Sequence, residues 1–303
     1  MFAVEIDQVT KSFDTVTAVD ALSLAVPKAS IYGFIGPNGS GKSTTMRMIV
    51  NILEPDSGSV RVFGEDARAK RQGQIGYLPE ERGLYRKMRV GALLEFHAQL
   101  RGARKAGPAV AAWLKRLGLA NRANDKVETL SKGMSQKVQF IATVIPEPQL
   151  LILDEPFSGL DPVSADAIRG AILELRSRGC TIILSTHDMG VAESLCDSIF
   201  MIFRGKKVLD GSIGSIQAKY GSDTIRVEVE GGAAQLGELP GIEQVKDWGQ
   251  YQELRMSAGC DPQKVLECML ARARILSFSV VKPSLHDIFI RIAGPQPEEA
   301  PVD

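Results

Sequence analysis

Gly36-Pro37-Asn38-Gly39-Ser40-Gly41-Lys42-Ser43-Thr44 fits the pattern G-x-x-x-x-G-K-[ST]. Its glycines let successive backbone N–H groups turn inward and cradle a polyphosphate, which constrains the chain on both sides of the loop. A strand must enter and a helix must leave. Ala29 to Ile35 reads as a short apolar strand and Ser43 to Val50 as a helix, so a phosphate would sit at a helix N-terminus. Lys42 would bring a point charge to the β- and γ-phosphates, and the Ser43 hydroxyl would hold Mg²⁺. A chance Gly-rich turn would lack this flanking structure. The chain is expected to bind a nucleoside triphosphate.

The acids that chemistry would need lie farther on. Gln149-Leu150-Leu151-Ile152-Leu153-Asp154-Glu155-Pro156 has the run of apolar residues expected of a fully buried parallel strand, with two carboxylates at its C-terminal end. Ligands of open α/β sheets bind beyond that end. An Asp there can bind Mg²⁺ through water, and a Glu beside it can polarise an attacking water. A second buried strand, Cys180 to Thr186, ends at His187-Asp188, which makes His187 a better candidate for γ-phosphate contact than His97 or His286. His97 falls on the apolar side of a helical pattern and is expected to be packed.

Around these segments the pattern is mixed. Val4 to Val9 and Leu22 to Val26 read as an antiparallel β lead-in, in which Phe13 is either a hairpin core residue or a platform for a base. Ser59 to Phe63 and Gln74 to Leu78 read as strands. From about Val90 to Ile145 the apolar spacing turns helical, an α-helical insert within an α/β domain. Leu130-Ser131-Lys132-Gly133 precedes a helix from Met134, either an ordinary cap or a second place for backbone N–H groups to meet phosphate. Ser158-Gly159-Leu160-Asp161-Pro162 turns into a helix over Val163 to Arg178, and Ser198 to Phe203 with Lys206 to Leu209 forms a hairpin. Past a hinge at Gly221-Ser222 the pattern restarts as a small α+β module, with strands Thr224 to Val229, Gln252 to Met256 and Ile275 to Val281 and helices Pro262 to Arg272 and Ser284 to Ile292. Gly294 to Asp303 is Pro/Glu-rich and expected to fray.

Charge and cysteines exclude some classes. Lys+Arg and Asp+Glu stand at 36 each, so no global field recruits nucleic acid or an anionic membrane, and no nucleic-acid partner is expected. Cys180, Cys196, Cys260 and Cys268 show no C-x-x-C pairing, which argues against a zinc site or disulfide framework and suits a reducing cytosol. The start, Met1 to Asp7, lacks the basic and apolar regions of a leader, and no apolar run approaches the roughly 20 residues that span a bilayer. The expectation is a soluble chain whose membrane role, if any, comes through a partner.

Together these residues resemble the ATP-binding cassette family, the ATPase subunits of ABC transporters, over about residues 3 to 220. The resemblance implies a P-loop NTPase core with an antiparallel β lead-in and an α-helical subdomain at about 88–146, within a domain spanning 1–220. It makes Gly36 to Ser43 the Walker A loop, Leu150 to Asp154 the Walker B strand and Glu155 the catalytic carboxylate. Lys42 and His187, the switch histidine, complete the catalytic set. Asp154 and Ser43 become metal ligands, and Phe13 takes the position that stacks on adenine. Ser131 to Lys137 stands where the family's LSGGQ signature belongs, which caps the γ-phosphate of the other subunit. Lys132 replaces its first glycine and Met134 its glutamine, while Ser131 and Gly133 remain. At the Q-loop, Glu80 stands where the family usually has Gln, and a carboxylate there could still bind Mg²⁺.

Residues 221–293, closing with Pro283 to Ile290, are similar to the extra C-terminal domain on ATPases of ABC-2-type exporters. The implied protein binds ATP and Mg²⁺ and dimerises head to tail with a second copy or a related cassette. It would drive a membrane permease from the cytoplasmic face. A soluble cassette acting on ribosomes or DNA is the competing reading, and such proteins usually carry two cassettes or long coiled-coil insertions, neither of which is present. A third reading gives the C-terminal module a ligand-sensing role.

Overall fold

The computed structural model describes residues 1–69, 74–81, 83–103, 105–220, 224–231, 239–257 and 259–294. Arg82, the expected hinge at Gly221-Ser222, most of the loop from Gly231 to Gly241 and the tail beyond Gly294 lie outside them. The chain divides into two units, Met1–Ser212 and Ile213–Asp303.

The first unit opens on strands β1 (Phe2–Phe13) and β2 (Val16–Pro27), each longer than the apolar runs suggest. Bulges explain the extra length. The β1–β2 register shifts repeatedly past Ile6, and Gln8 and Ala21 adopt positive φ of 48° and 45°, which lets pairing continue through the polar Lys11-Ser12 stretch. Then follow β3 (Ile31–Ile35), helix α1 (Lys42–Ile49), β4 (Ser57–Val62), the two-residue β5 (Glu65–Asp66) and β6 (Ile75–Leu78). The helical segment comprises α2 (Val90–Leu100), α3 (Gly107–Arg116) and α4 (Lys132–Val144), joined by two short 3₁₀ turns. Strand β7 (Leu150–Leu153), α5 (Pro162–Ser177), β8 (Thr181–Thr186), α6 (Met189–Leu195), β9 (Ser198–Phe203) and β10 (Lys206–Ser212) complete this unit.

Two sheets result. One runs β2-β1-β4-β5 and the other β10-β9-β3-β8-β7-β6. In the second, β9, β3, β8, β7 and β6 pair in parallel, and β10 closes the edge antiparallel to β9. Strands β3, β7 and β8 are buried along their whole length, as parallel strands covered on both faces must be. A single core joins the sheets through α1: Ile6, Leu22 and Leu24 of the antiparallel sheet, Met46 and Ile49 of the helix, and Phe34 and Phe200 of the parallel sheet belong to one cluster. That packing fixes α1 against the end of β3, and so fixes the loop between them.

The helical segment has its own contacts. Trp113 of α3 meets Phe140 of α4 edge-on at 6.2 Å, and Arg101 donates to the Ile75 carbonyl at 2.6 Å, tying the end of α2 to β6. Partly buried His97 lies between Tyr85 and Phe96, at ring distances of 6.5 and 6.0 Å, and burial with Arg101 nearby lowers its pKa.

The second unit contains α7 (Ile213–Lys219), β11 (Thr224–Val229), β12 (Ile242–Asp247), β13 (Gln252–Met256), α8 (Pro262–Leu270), β14 (Ile275–Val281) and α9 (Leu285–Ala293). Its antiparallel sheet runs β12-β13-β11-β14. Ile225, Val227, Leu254 and Met256 pack there with Val265 and Met269 of α8. A capping box, Ser284 with Asp287, starts α9. Sequence periodicity did not reveal α6, α7, β5 or β12: these elements are short, and β12 is exposed at almost every position, so no apolar alternation marks it.

Phe140→Ala removes a fully buried ring from α4 and should cost about 3–5 kcal/mol. Urea denaturation followed by tryptophan fluorescence checks this; a loss below about 1 kcal/mol would contradict the packing described, given the usual range for such truncations.

Candidate active site

The loop after β3 takes its shape from glycine. Gly41 caps α1 with φ 110°, and a Cβ there would lie 2.4 Å from the Ala18 carbonyl oxygen, so no side chain fits. Thr45 closes the first turn of α1, its N–H and hydroxyl both donating to the Gly41 carbonyl at 2.9 Å. The buried Ser40 hydroxyl has no hydrogen-bond partner among the described residues. A buried hydroxyl left unpaired is costly, and an anion on the loop would satisfy it.

Lys42 is folded back on its own loop. Its Nζ donates to the Gly36 carbonyl at 2.6 Å and the Pro37 carbonyl at 3.1 Å, in a side chain only 6 % exposed. Burial lowers the ammonium's pKa, and the nearby Glu155, Asp154 and Glu80 carboxylates oppose that shift.

Strand β7 delivers Asp154 and Glu155 to the same edge. The Asp154 N–H donates to the Leu78 carbonyl at 2.8 Å, continuing the parallel pairing one residue beyond the strand. Buried Ser185 of β8 then joins the acids: its hydroxyl donates to Asp154 Oδ1 at 2.6 Å and accepts the Glu155 N–H at 2.8 Å. Glu155 sits at φ 48°, a left-handed conformation that costs a non-glycine residue on the order of 1–3 kcal/mol, and the Ser185 bond helps hold it. Its carboxylate is 3.0 Å from His187 Nδ1, and burial raises its pKa against the opposing pull of His187 and Lys42. His187 itself stands between the end of β8 and Asp188, whose side chain caps α6 by accepting the Val191 N–H at 3.0 Å.

These groups surround one open pocket of about 330 Å³, lined by Ala18, residues 38–44, Glu80, Asp154 and Glu155. Of the sequence-predicted residues, Asn38, Gly39, Ser40, Gly41, Lys42, Ser43, Thr44, Glu80, Asp154 and Glu155 thus converge. Gly36 and Pro37 form the base of the loop that holds Lys42, and His187 reaches the site through Glu155.

Three further predicted residues lie outside the lining. Phe13, at the end of β1, is 46 % exposed with Lys11 Nζ 5.7 Å from its ring centroid, which excludes a hairpin core role. Ser131 caps α4 by accepting the Met134 N–H at 3.3 Å, and Gly133 faces Leu160. Sequence reasoning missed Ser185 and Ala18. A lone hydroxyl near the end of an otherwise apolar buried strand was the available signal for Ser185; nothing marked Ala18.

The donor set suits Mg²⁺ brought by a nucleotide. The Ser43 hydroxyl and the Asp154 and Glu80 carboxylates are hard oxygen donors on one pocket wall. No group of three or more His, Cys, Asp or Glu among the described residues could hold a metal ion alone. Mg²⁺ bound here would therefore take phosphate oxygens as further ligands, its usual habit in phosphoryl-transfer sites.

Comparison with known proteins shows the family of the chain. The family described as ABC transporter matches residues 19–158, and that described as ATP-binding protein DrrA1-3-like, C-terminal domain, matches residues 211–293. The chain is 39% identical over 291 residues to the uncharacterized ABC transporter ATP-binding protein YhaQ of Bacillus subtilis, covering 95% of this chain and 98% of that protein. It is 34% identical over 306 residues to the Nod factor export ATP-binding protein I of a Rhizobium species, covering 98% and 99%. A solved ATP binding subunit of an ABC transporter superposes with a TM-score of 0.68 at 28% identity, over 72% of this chain and 93% of that one.

Ser185→Ala should leave Asp154 Oδ1 and the Glu155 N–H without their buried partner, a cost of about 1–3 kcal/mol. Thermal melting checks it, and an unchanged melting temperature would contradict the network. A second expectation follows from the raised Glu155 pKa. The folded chain holds that proton more tightly than the unfolded chain, so stability falls as pH rises from the ordinary carboxylate range through the raised value. Glu155→Gln, without nucleotide, should melt above wild type at neutral pH, with the gap closing as pH drops. Equal melting temperatures throughout would refute the burial argument.

Proposed function

The chain belongs to the ATP-binding cassette family of ABC transporter ATPases, in its exporter-type branch, and on that premise we propose that it energises an exporter by closing with a second cassette around ATP and driving a membrane permease. The observation that carries the reading is the placement of Glu155, a carboxylate beside His187 on the wall of a pocket floored by a phosphate loop.

In this mechanism Lys42 exchanges the Gly36 and Pro37 carbonyls for β- and γ-phosphate oxygens, and the loop N–H groups and Ser40 hydroxyl take the rest of the charge. Ser43 and Asp154, with Glu80 at hand, would hold Mg²⁺, which would supply positive charge against the phosphates. Glu155 accepts a proton from the water whose oxygen attacks the γ-phosphorus. The bond to the bridging oxygen breaks, its electron pair leaves with ADP, and phosphate departs. A carboxylate with a raised pKa suits the base role, and His187 orients it. Phe13, exposed at the tip of β1, is available to stack on the adenine.

One side of the pocket is open, and Ser131 and Gly133 are not among its lining residues. A second copy would supply them from its own α4, so that ATP joins two chains and hydrolysis releases them. Closure would pass to the permease through helices α2 to α4 and the segment before α2, where exposed Tyr85 lies edge-on to Phe96 of α2 at 6.0 Å. No helix among the described residues is long and apolar enough to cross a membrane, which is consistent with a separate permease subunit.

Glu155→Gln should bind ATP, lose turnover by at least about 100-fold and accumulate as an ATP-dependent dimer on size-exclusion chromatography, by analogy with loss of a general base. Wild-type turnover in this variant would overturn the role of Glu155. Lys42→Ala should lose ATP affinity, read by calorimetric titration.

A further inference from the structure

The left-handed Glu155 is followed by a loop, Pro156 to Asp161, that must be held if its carboxylate is to stay in place. Within the loop there are only turn bonds, Ser158 N–H to the Glu155 carbonyl at 3.1 Å and Leu160 N–H to the Phe157 carbonyl at 3.2 Å. Asp161 anchors the far end as the cap of α5, accepting the Ser164 N–H at 2.9 Å and the Ser164 hydroxyl at 2.5 Å, and one face of α4 supports the stretch before it. Buried Gln136 donates to the Pro156 carbonyl at 3.4 Å. One turn earlier, the Lys132 side chain lies across Gly159: a Cβ built on that glycine would be 2.7 Å from Lys132 Cε and 2.9 Å from Nζ. Gly133 meets Leu160 between them, where an added Cβ would lie 3.5 Å from the leucine.

Lys132 makes no hydrogen bond or ion pair among the described residues, so its contribution is the contact of its stem rather than a salt bridge. Gly159 adopts φ 69°, which leaves bare backbone where the stem lies. Positions 132 and 136 are one helical turn apart and therefore on one face. Pro156 and Gly159 of the loop after Glu155 are thus held by the same helix turn.

We propose that Lys132 is a positioning residue: its aliphatic stem, seated on Gly159, holds the Pro156–Asp161 loop and through it the Glu155 carboxylate. The first turn of α4 and the base for hydrolysis then move as one body. Whatever engages Ser131 to Met134 is felt at Glu155. This inference rests on Glu155 as the base and goes beyond it by assigning the contact that sets its position.

The test compares Lys132→Gly, which removes the stem, with Lys132→Met, which keeps the stem and removes the charge, in the full chain. Steady-state ATPase assays should show kcat reduced roughly tenfold or more in the glycine variant, the scale expected when a reacting group is misplaced, with KM unchanged. The methionine variant should keep a kcat at least about fivefold above that of the glycine variant, given its similar unbranched stem. Both should melt within a few degrees of wild type, since the site is exposed. Gly159→Ala should also be slow, and Lys132→Gly/Gly159→Ala should be no slower than Gly159→Ala, because the clash then has no partner. A glycine variant as fast as wild type, or a methionine variant as slow as glycine, would overturn the proposal. Retained turnover in Glu155→Gln would instead refute the underlying reading, so the two failures are distinguishable.

Discussion

Three ionisable groups, Lys42, Asp154 and Glu155, are buried at the carboxyl edge of one parallel sheet, and the rest of the cassette is arranged around keeping them there. Two adjacent carboxylates repel, and burial penalises every one of these charges. The folded chain answers with local substitutes for solvent. Lys42 donates to backbone carbonyls of its own loop, Asp154 is bound by Ser185, and Glu155 leans on His187. Each substitute is a hydrogen bond that a nucleotide or its metal could replace, which makes the site a poised receptor rather than a settled core.

The fold supplies the rigidity this requires. Strand β3 lies between β8 and β9, so the loop leaving it is registered directly against β8, the strand that carries Ser185 and leads into His187. Strand β7 pairs with β8 on the other side and brings the acid pair into the same row. The two sheets share a core through α1, and that fixes the helix whose N-terminus lines the pocket. The helical segment meets the site through α4, which holds the loop after Pro79 as well as the loop after Glu155: Gln139 donates to the Pro79 and Glu81 carbonyls at 3.4 and 3.3 Å. Glu80 thus stands between α4 and the pocket.

Much of this was legible in the residues. The loop from Gly36 to Thr44 demanded a strand before it and a helix after it, and β3 and α1 are there. The apolar run ending in Asp154-Glu155 announced a buried strand because a strand covered on both faces cannot alternate. Other features were beyond reading along the chain. The Ser185 network joins residues 30 apart across neighbouring strands, and Lys132 meets Gly159 only because α4 and the loop fold together. Elements such as β12 and α7 carry too little apolar periodicity to announce themselves. The two readings of Phe13 needed a measure of exposure, and only the fold provides one.

A single chain lines the pocket with eleven residues and leaves Ser131 and Gly133 elsewhere, and the proposed function makes hydrolysis a property of two chains. The most direct measurement is the ATPase rate per chain as a function of chain concentration at saturating ATP and Mg²⁺. The account predicts that specific activity rises with concentration and levels off as dimers saturate. A specific activity that stays constant down to concentrations where sedimentation shows only monomers would contradict it.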